Sequence, residues 1–264
     1  MGKGYSEHLD KGRIASCFKA SAATYEETAI VQKEISRQLI AVLKRFALDS
    51  EYPRALEIGC CTGNLTKMLS ESVSIENLFL NDLVADFCNS TEARIAGQVG
   101  RVNVISGDIE KALLPSHLDL VISSSTFQWM VDLPRLIGKI AAVLNNAGLL
   151  AFSIFSPGTM GEISTLTGRG LRYHSSEELA AMLADNFQVL NLHSERKCLY
   201  FPSVRAVLSH IRQTGVGGLG QDRWTLGKLK DFEKRYVKQF SSEYGLPVTY
   251  NSTFVVARKK GGGS

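Results

Sequence analysis

The sequence predicts an α/β fold in which a mostly parallel sheet lies between helices on both of its faces. Short, almost continuously apolar runs alternate along the chain with stretches of helical spacing, as strands buried on both faces require. Strands that alternate with helices imply right-handed βαβ units. The 264 residues, 44% of them hydrophobic and 21% charged, are sufficient for one domain with a sizeable core.

The first part of the chain contains one predicted helix and then the repeating strand and helix units. Apolar residues at helical spacing predict the helix at 24–47, ending near Asp49 and Ser50. The strands are predicted at 55–59, 77–82, 102–108, 118–125, 148–156 and 187–201. The helices between the strands are predicted at 65–72, 84–95, 133–144 and 175–186.

The last part of the chain contains a small helical insertion. Its two helices are predicted at 203–213 and 225–240, and Ser203 is the expected N-cap of the first. The glycine-rich segment 215–220 is predicted to be a flexible linker, because no strand leads directly into it. A final strand is predicted at 246–259, so the insertion interrupts the sheet before its last strand.

The composition argues against several classes of protein. The sequence has no run of about 18 apolar residues, so no transmembrane helix is predicted. The N-terminus lacks the apolar core of a secretion signal. The five cysteines include no C-x-x-C pair, which indicates reduced thiols and a cytoplasmic location. The five histidines show no metal-ligand spacing, so no metal site is predicted.

Positive charge is concentrated in the insertion, residues 203–240. The whole chain carries a net charge of +4, whereas this segment alone has eight Lys and Arg against three acidic residues, a net charge of +5. Such a surface suits an acidic partner, but a solvated helix face has the same composition, and both interpretations stay open at this point. Nucleic acid is not favoured, because the segment has no stacking aromatics on its polar side.

The stretch LEIGCCTGNLT, residues 56–66, is the clearest candidate for a ligand-binding site. A turn from Gly59 to Gly63 follows a predicted strand and opens a predicted helix, whose first N–H groups are free to bind a ligand. Asp82 ends the next strand, nineteen residues beyond Gly63, and Asp108 ends the strand after that. A carboxylate at the position of Asp82 can accept both hydroxyls of a ribose, so the arrangement indicates an adenosine-type ligand.

Two kinds of adenosine cofactor bind at such a turn. A dinucleotide needs G-x-G-x-x-G, and here Cys61 and Asn64 occupy two of the three glycine positions. S-adenosylmethionine (SAM) has no phosphate and needs E/D-x-G-x-G-x-G, which matches Glu57, Gly59 and Gly63 with Cys61 between them. Glu57 has a role only with SAM, where it can help to hold the amino group. The pattern favours SAM, with its affinity weakened because the Cys61 Cβ crowds the methionine part.

With these residues the chain resembles the class I SAM-dependent methyltransferases over roughly residues 50–190. Their fold is a Rossmann-like sheet, and LEIGCCTG looks like their first motif. The resemblance implies that Asp82 binds the ribose and that Asp108 and Ile109, after Gly107, form the adenine loop. Ser124 is a further expected cofactor contact. One methyltransferase domain is expected, with an N-terminal helical lid (1–49), a SAM-binding core (50–200), the insertion (203–240), a final strand (246–259) and a flexible tail (260–264).

Longer stretches of the chain are similar to one particular family. IASCFKASAATYEETAIVQ at 14–32, SSSTFQWMVDLP at 123–134 and FPSVRAVLSHIRQTGV at 201–216 resemble the malonyl-acyl-carrier-protein O-methyltransferases of biotin biosynthesis. The resemblance runs from about Ile14 to Lys259. It implies methylation of the free carboxylate of a malonyl thioester carried on acyl carrier protein (ACP). A carboxylate is already ionised at neutral pH, so the reaction needs alignment and no general base.

The resemblance also suggests which residues meet the substrate. An arginine with hydroxyl donors would select the malonyl anion, and the candidates are Arg172, with Arg169 second, and the hydroxyls of Tyr25 and Tyr250. The acyl channel is expected to be lined by Phe127, Gln128 and Trp129. The charge of the insertion now suits ACP, an acidic protein, through the side chains of Arg205, Arg212, Lys228, Lys230, Lys234 and Arg235.

Rival functions stay open at the level of the sequence. The nearest is a SAM-dependent enzyme that methylates another small carboxylic acid, which would not need the basic insertion. A catalytically silent SAM-binding module, impaired by Cys61, is the rival from another class, and a dinucleotide oxidoreductase is a distant third. The chain is expected to be a monomer with no nucleic-acid or membrane partner.

Overall fold

The computed structural model describes residues 9–46, 51–214 and 225–261. Seven strands form one sheet in the order β3-β2-β1-β4-β5-β7-β6. The first five strands are mutually parallel, and β7 runs antiparallel to both β5 and β6. The strands are β1 (Glu51–Ile58), β2 (Ser74–Asp82), β3 (Arg101–Ser106), β4 (Leu118–Ser124), β5 (Leu144–Phe155), β6 (Phe187–Phe201) and β7 (Leu246–Lys259).

Helices of the described residues precede the sheet, connect its strands and form the insertion. They are α1 (Lys11–Thr28), α2 (Ile30–Phe46), α3 (Asn64–Ser70), α4 (Ala85–Arg94), α5 (Leu133–Val143), α6 (Gly161–Thr167), α7 (Ser176–Leu183), α8 (Val204–Gln213) and α9 (Leu226–Phe240). Several of these helices have a polar side chain at the N-cap. The predicted cap Ser203 accepts a hydrogen bond from the Ala206 N–H at 3.2 Å, and Ser175 and Glu178 form a capping box before α7.

The core lies on both faces of the sheet, as the predicted fold class requires. One apolar cluster packs helix α2 against the sheet and includes Leu39 and Leu78. The other packs α5 and α7 against the opposite face and includes Ile137, Phe152 and Leu183. The prediction of a mostly parallel sheet with helices on both faces is therefore confirmed. No helix of the described residues is long and apolar enough to cross a membrane.

The N-terminal helices differ from the prediction. The single helix predicted at 24–47 is two helices, because the chain leaves helical geometry at Ala29, whose ψ is 46°. Helix α1 also begins at Lys11, well before the predicted start. Only Ile14 and Ser21 of α1 are buried, so its sequence has no apolar stripe from which helical spacing could be read. The predicted helix end at 49–50 lies outside the described residues.

Other boundaries shift by smaller amounts. Strand β1 begins at Glu51, four residues before its predicted start, and the short helix α6 was not predicted. The seven residues of α6 are too few to show a period. The predicted linker 215–220 and most of the predicted tail lie outside the described residues.

The insertion packs on the sheet through aromatic side chains. Phe232 and Tyr236 of α9 are buried, and the Tyr236 hydroxyl donates a hydrogen bond to the Pro247 carbonyl at 2.6 Å. His210 of α8 lies 2.9 Å from the Tyr250 hydroxyl, Nε2 to Oη. These contacts fix α8 and α9 to β7. Helix α6 also packs against β7 and α9.

Candidate active site

A cavity of about 710 Å³ lies beyond the carboxyl ends of β1, β2 and β4, with α1 across it. This is the edge of a parallel sheet at which ligands are expected to bind. We call it the cofactor cavity. Its lining includes Lys11, Phe18 and Tyr25 of α1, the turn residues Gly59 and Cys61, the acids Asp82 and Asp108, and Ile109, Ser124, Ser125, Trp129 and Met130.

The turn after β1 is held in a left-handed backbone conformation. The φ angles are +77° at Gly59, +48° at Cys61 and +79° at Gly63. A Cβ added at Gly59 would overlap the side chain of Thr126, so glycine is required there. Cys61 carries a Cβ in a conformation that favours glycine, and this residue lines the cavity. The structure therefore gives a backbone reason for the glycine expected at this position.

Asp82 connects the turn to the end of β2. Its Oδ2 accepts the Cys61 N–H at 2.9 Å, and its Oδ1 accepts the Val84 N–H at 2.9 Å. Burial raises the pKa of the Asp82 carboxyl, and the backbone N–H donors oppose that rise. Each oxygen keeps lone-pair capacity while lining the cavity, so the carboxylate can still accept ribose hydroxyls.

Asp108 and Ile109 line the same cavity and meet the N-terminal helix there. The Lys11 ammonium pairs with Asp108 at 2.5 Å and also with Glu110. Glu110 in turn accepts the backbone N–H groups of Val131 at 3.0 Å and of Asp132 at 2.7 Å. Partial burial raises the pKa of Glu110, but the Lys11 ammonium and these two N–H donors together hold it below its ordinary value. Helix α1 is thereby joined to the expected adenine loop.

Glu57 lies beneath the turn and does not line the cavity. It is fully buried in β1, and neither carboxylate oxygen makes a well-formed hydrogen bond with a described residue. Burial raises the pKa of Glu57 to about 8, the Thr66 hydroxyl partly offsets this effect, and the charge of Asp82 adds to it. Glu57 is therefore largely protonated at neutral pH.

A second compartment of about 380 Å³ adjoins the cofactor cavity. The two share Phe18, Tyr25, Ser125 and Trp129, and Phe18 meets Trp129 edge-on with their ring centroids 5.8 Å apart. The rest of the lining of the second compartment is Gln32, Gln128, Phe155, Thr159, Met160, Leu171, Tyr173 and Thr214.

A third compartment lies between α2 and the turn. Its polar lining includes Lys33, Ser36, Thr62 and Asn64, and it also borders Ser124. The Ser124 hydroxyl accepts hydrogen bonds from Ser36 and Ser153, each at 3.1 Å. Tyr25 lines all three compartments and so lies where they meet. Burial raises the pKa of its phenol well above the ordinary value, and the neighbouring Cys61 and Asp82 add to the rise.

The expected substrate residues fall in different places. Trp129 lines both main compartments and Gln128 lines the second, whereas Phe127 is buried against Phe152 with ring centroids 5.0 Å apart. Tyr250 is buried beside Phe155 with its hydroxyl near His210, and it borders none of the three compartments.

The two expected arginines lie at the surface. The Arg172 side chain is 71% exposed and contacts Glu178 at 3.5 Å, Nη2 to Oε1. Arg169 is also exposed, and neither arginine lines a compartment. Sequence reasoning missed Lys11, Gln32, Ser125 and Tyr173, which do line them. Tyr173 follows Arg172 directly, and no pattern in the segment indicates which of the two side chains turns inward.

The residues present fit SAM. Asp82 offers acceptors at the expected ribose position, Asp108 and Ile109 line the expected adenine end, and the third compartment offers polar groups for an amino acid end. Cys61 and Asn64 occupy two positions at which a dinucleotide site has glycine, so the backbone cannot approach a pyrophosphate closely there. The fit therefore favours SAM over a dinucleotide.

Known proteins share this fold. The sequence profile of a family described as "Methyltransferase domain" matches residues 56–152. The YcgJ protein from Bacillus subtilis matches with a TM-score of 0.61 and 15% identity, over 86% of this chain and 100% of its own. The N-methyltransferase NodS from Bradyrhizobium japonicum, solved with S-adenosylhomocysteine (SAH), matches with a TM-score of 0.50 and 14% identity, over 84% and 86%. Fold and site together define a SAM-dependent methyltransferase.

Closer relatives identify the family. The malonyl-[acyl-carrier protein] O-methyltransferase of Chlorobium phaeovibrioides is 36% identical over 95% of this chain and 97% of its own length. Proteins of the same name from Chlorobium luteolum and Acinetobacter baylyi are 35% and 34% identical, over 97% and 96% of this chain and 98% of each relative. The chain therefore belongs to the malonyl-[acyl-carrier protein] O-methyltransferase family.

Replacing Cys61 by glycine should tighten binding of SAH. The substitution removes the Cβ and thiol of a residue that lines the cavity, and relief of about 1 kcal/mol of crowding in the complex corresponds to about fivefold in Kd. Titration calorimetry with SAH measures the change. Cys61→Ala is the matched control, because it keeps the Cβ and should bind like the wild type. Equal Kd values for Cys61→Gly and the wild type would contradict the crowding argument.

Glu57 should make the free energy of unfolding depend on pH. Its folded pKa of about 8 lies above the ordinary 4.5, so between these values the folded state keeps a proton that the unfolded chain loses. Wild-type stability should therefore fall relative to Glu57→Gln from pH 5 to 8, by up to about 1.4 kcal/mol per pH unit. Urea denaturation across this range measures it, with the exposed Glu76→Gln as the charge control. Parallel curves for Glu57→Gln and the wild type would rule this out.

Proposed function

We propose that this protein transfers the methyl group of SAM to the free carboxylate of malonyl-ACP, an early step of biotin biosynthesis, as a monomeric cytoplasmic enzyme. The observation that carries the proposal is the second compartment, which meets the cofactor cavity at Tyr25. Nearly full-length similarity to proteins named for this reaction supports the same conclusion. A methyl donor in the cofactor cavity and a methyl acceptor in the second compartment would then lie next to each other, on either side of Tyr25.

The reaction requires alignment of the carboxylate with the methyl group and exclusion of water. Bound SAM supplies a methyl group on a positively charged sulfur. One oxygen of the malonyl carboxylate forms the new bond to carbon, the carbon–sulfur bond breaks, and its electron pair stays on sulfur without movement of a proton. A carboxyl group with an ordinary pKa of about 4 is ionised at neutral pH, so no general base is required. The protein contributes proximity and a closed, apolar wall from Phe18 and Trp129.

In this proposal α1 is a lid over the bound donor. Polar pairs join it to the SAM-binding core along its length. Lys11 pairs with Asp108 and Glu110 at one end, Lys19 contacts Asp86 at 2.7 Å, and Glu26 pairs with Arg94 near the other end. The Lys19–Asp86 and Glu26–Arg94 pairs are open to solvent, so they are weak and screened by salt, whereas the Lys11 pairs are largely buried. The lid would therefore open for exchange of SAM and SAH from the end that carries Glu26.

The insertion is the proposed docking surface for ACP. Its described candidate cations Arg205, Arg212, Lys228, Lys230, Lys234 and Arg235 are all exposed. The insertion also adjoins both the lid and the acceptor side. Thr28 of α1 donates a hydrogen bond to the Gln213 carbonyl at 3.4 Å, and Thr214, which ends α8, lines the second compartment. An acidic carrier bound here by charge complementarity would hold its acyl arm beside that compartment.

The test is methyl transfer from labelled SAM to malonyl-ACP, malonyl-CoA and free malonate, with wild type and Lys230→Gln/Lys234→Gln. Malonyl-ACP should be the best acceptor, and the double variant should raise its KM about tenfold at low salt while activity on malonyl-CoA stays unchanged. Lys44→Gln/Arg45→Gln is the matched control. It removes the same charge about 18 Å along α2 from Gln32, and it should behave like the wild type.

Three outcomes would each contradict a different part of these proposals. Binding of SAH without methylation of any acceptor would reject the reaction and favour a silent SAM-binding module. Methylation of malonyl-ACP with no difference between the two double variants would keep the reaction and reject the docking surface. Preference for free malonate would indicate an enzyme for small carboxylic acids.

A further inference from the structure

We propose that neutral hydrogen-bond donors in the second compartment, above all the Tyr173 hydroxyl with the Gln32 amide, hold the acceptor carboxylate without an arginine. The inference rests on the proposed function and names the groups that would align its substrate. Neither residue follows from the sequence motifs. Tyr173 lines the second compartment alone, whereas Gln32 also borders the third.

The first support is a set of buried polar atoms without partners. Gln32 is 8% exposed and Gln128 is 5% exposed, yet the Oε1 of each has no hydrogen bond among the described residues. The Ser125 hydroxyl is in the same state, and its backbone φ is +52°. Unpaired buried polar atoms are costly, so this cluster points to a polar ligand. The two Oε1 atoms can only accept hydrogen bonds, and the Ser125 hydroxyl, the Gln32 Nε2 and the Tyr173 hydroxyl are groups of the lining that can donate to a carboxylate.

The second support is the charge of the compartment. No residue among its described lining carries an ionised side chain at neutral pH. Burial raises the pKa of Tyr173, so its phenol stays protonated and remains a donor. Arg172 is adjacent in sequence, but its side chain is exposed and contacts Glu178. A carboxylate bound in this compartment would therefore contact hydroxyl and amide donors. It would contact no cationic side chain of the described lining.

This arrangement suits the reaction. A bidentate arginine would bind the carboxylate tightly and reduce the nucleophilicity of its oxygens, whereas neutral donors orient the oxygens with less withdrawal of charge. Burying an anion without a partner is costly. The opposite charge can come from the sulfonium of the bound cofactor, because the two compartments share Tyr25 and Ser125. Acceptor binding should then depend on the charge of the cofactor.

The dependence on charge is testable by binding alone. Sinefungin carries an ammonium group where SAH carries a neutral sulfur, and neither transfers a methyl group. Affinity for malonyl-ACP, measured by calorimetry, should be at least about tenfold higher in the sinefungin complex than in the SAH complex. Equal affinities in the two complexes would overturn the assignment of the cofactor as the counter-charge.

The role of Tyr173 is tested with Tyr173→Phe against Arg172→Gln. Loss of a hydrogen bond to a charged group should raise the KM for malonyl-ACP in Tyr173→Phe about tenfold or more, while SAH affinity stays within about twofold and reports correct folding. Arg172→Gln should behave like the wild type. A larger effect in Arg172→Gln than in Tyr173→Phe would overturn the inference. If the wild type itself does not methylate malonyl-ACP, the proposed function fails instead, so the two failures are distinguishable.

Discussion

The carboxylate of Asp82 is the constraint on which the rest of the site depends. It accepts the N–H of Cys61 with one oxygen and the N–H of Val84 with the other, and so joins the end of β2 to the turn after β1. The turn is left-handed at three positions, one of them a cysteine, and such a backbone persists only where its surroundings hold it. The cavity wall and the start of α3 both follow from this junction.

Charge is distributed differently on the outside and the inside of the molecule. The described part of the insertion carries exposed cations, a surface that suits the acidic partner proposed above. Helix α1 is joined to the core by ion pairs at the surface and at the rim of the cofactor cavity. The second compartment, in contrast, is neutral among its described lining residues. In the proposed function, attraction of the carrier and alignment of the acceptor would fall to different parts of the chain, and a pocket without a strong cation would preserve a reactive carboxylate.

The sequence predicted the sheet well because its strands are buried on both faces and leave apolar runs that few other structures explain. Asp82, Asp108 and the turn were found because a parallel sheet brings its carboxyl ends together. A helical N-terminal segment was expected, but the bounds of α1 were not predicted, because most of its residues lie at a surface and its contacts through Lys11 are long-range. The choice between Arg172 and Tyr173 depends on which side chain turns inward from an irregular segment, and tertiary packing alone decides that.

The central claim is that the junction at Asp82 holds SAM, and the most direct measurement is calorimetric titration of SAH into the wild type, Asp82→Asn and Asp185→Asn. Asp185 is exposed and serves as the control for loss of one carboxylate. We expect binding of one SAH per chain, at least about tenfold weaker in Asp82→Asn and unchanged in Asp185→Asn. Equal affinity of all three proteins for SAH would contradict the account, because the ribose would then be bound elsewhere.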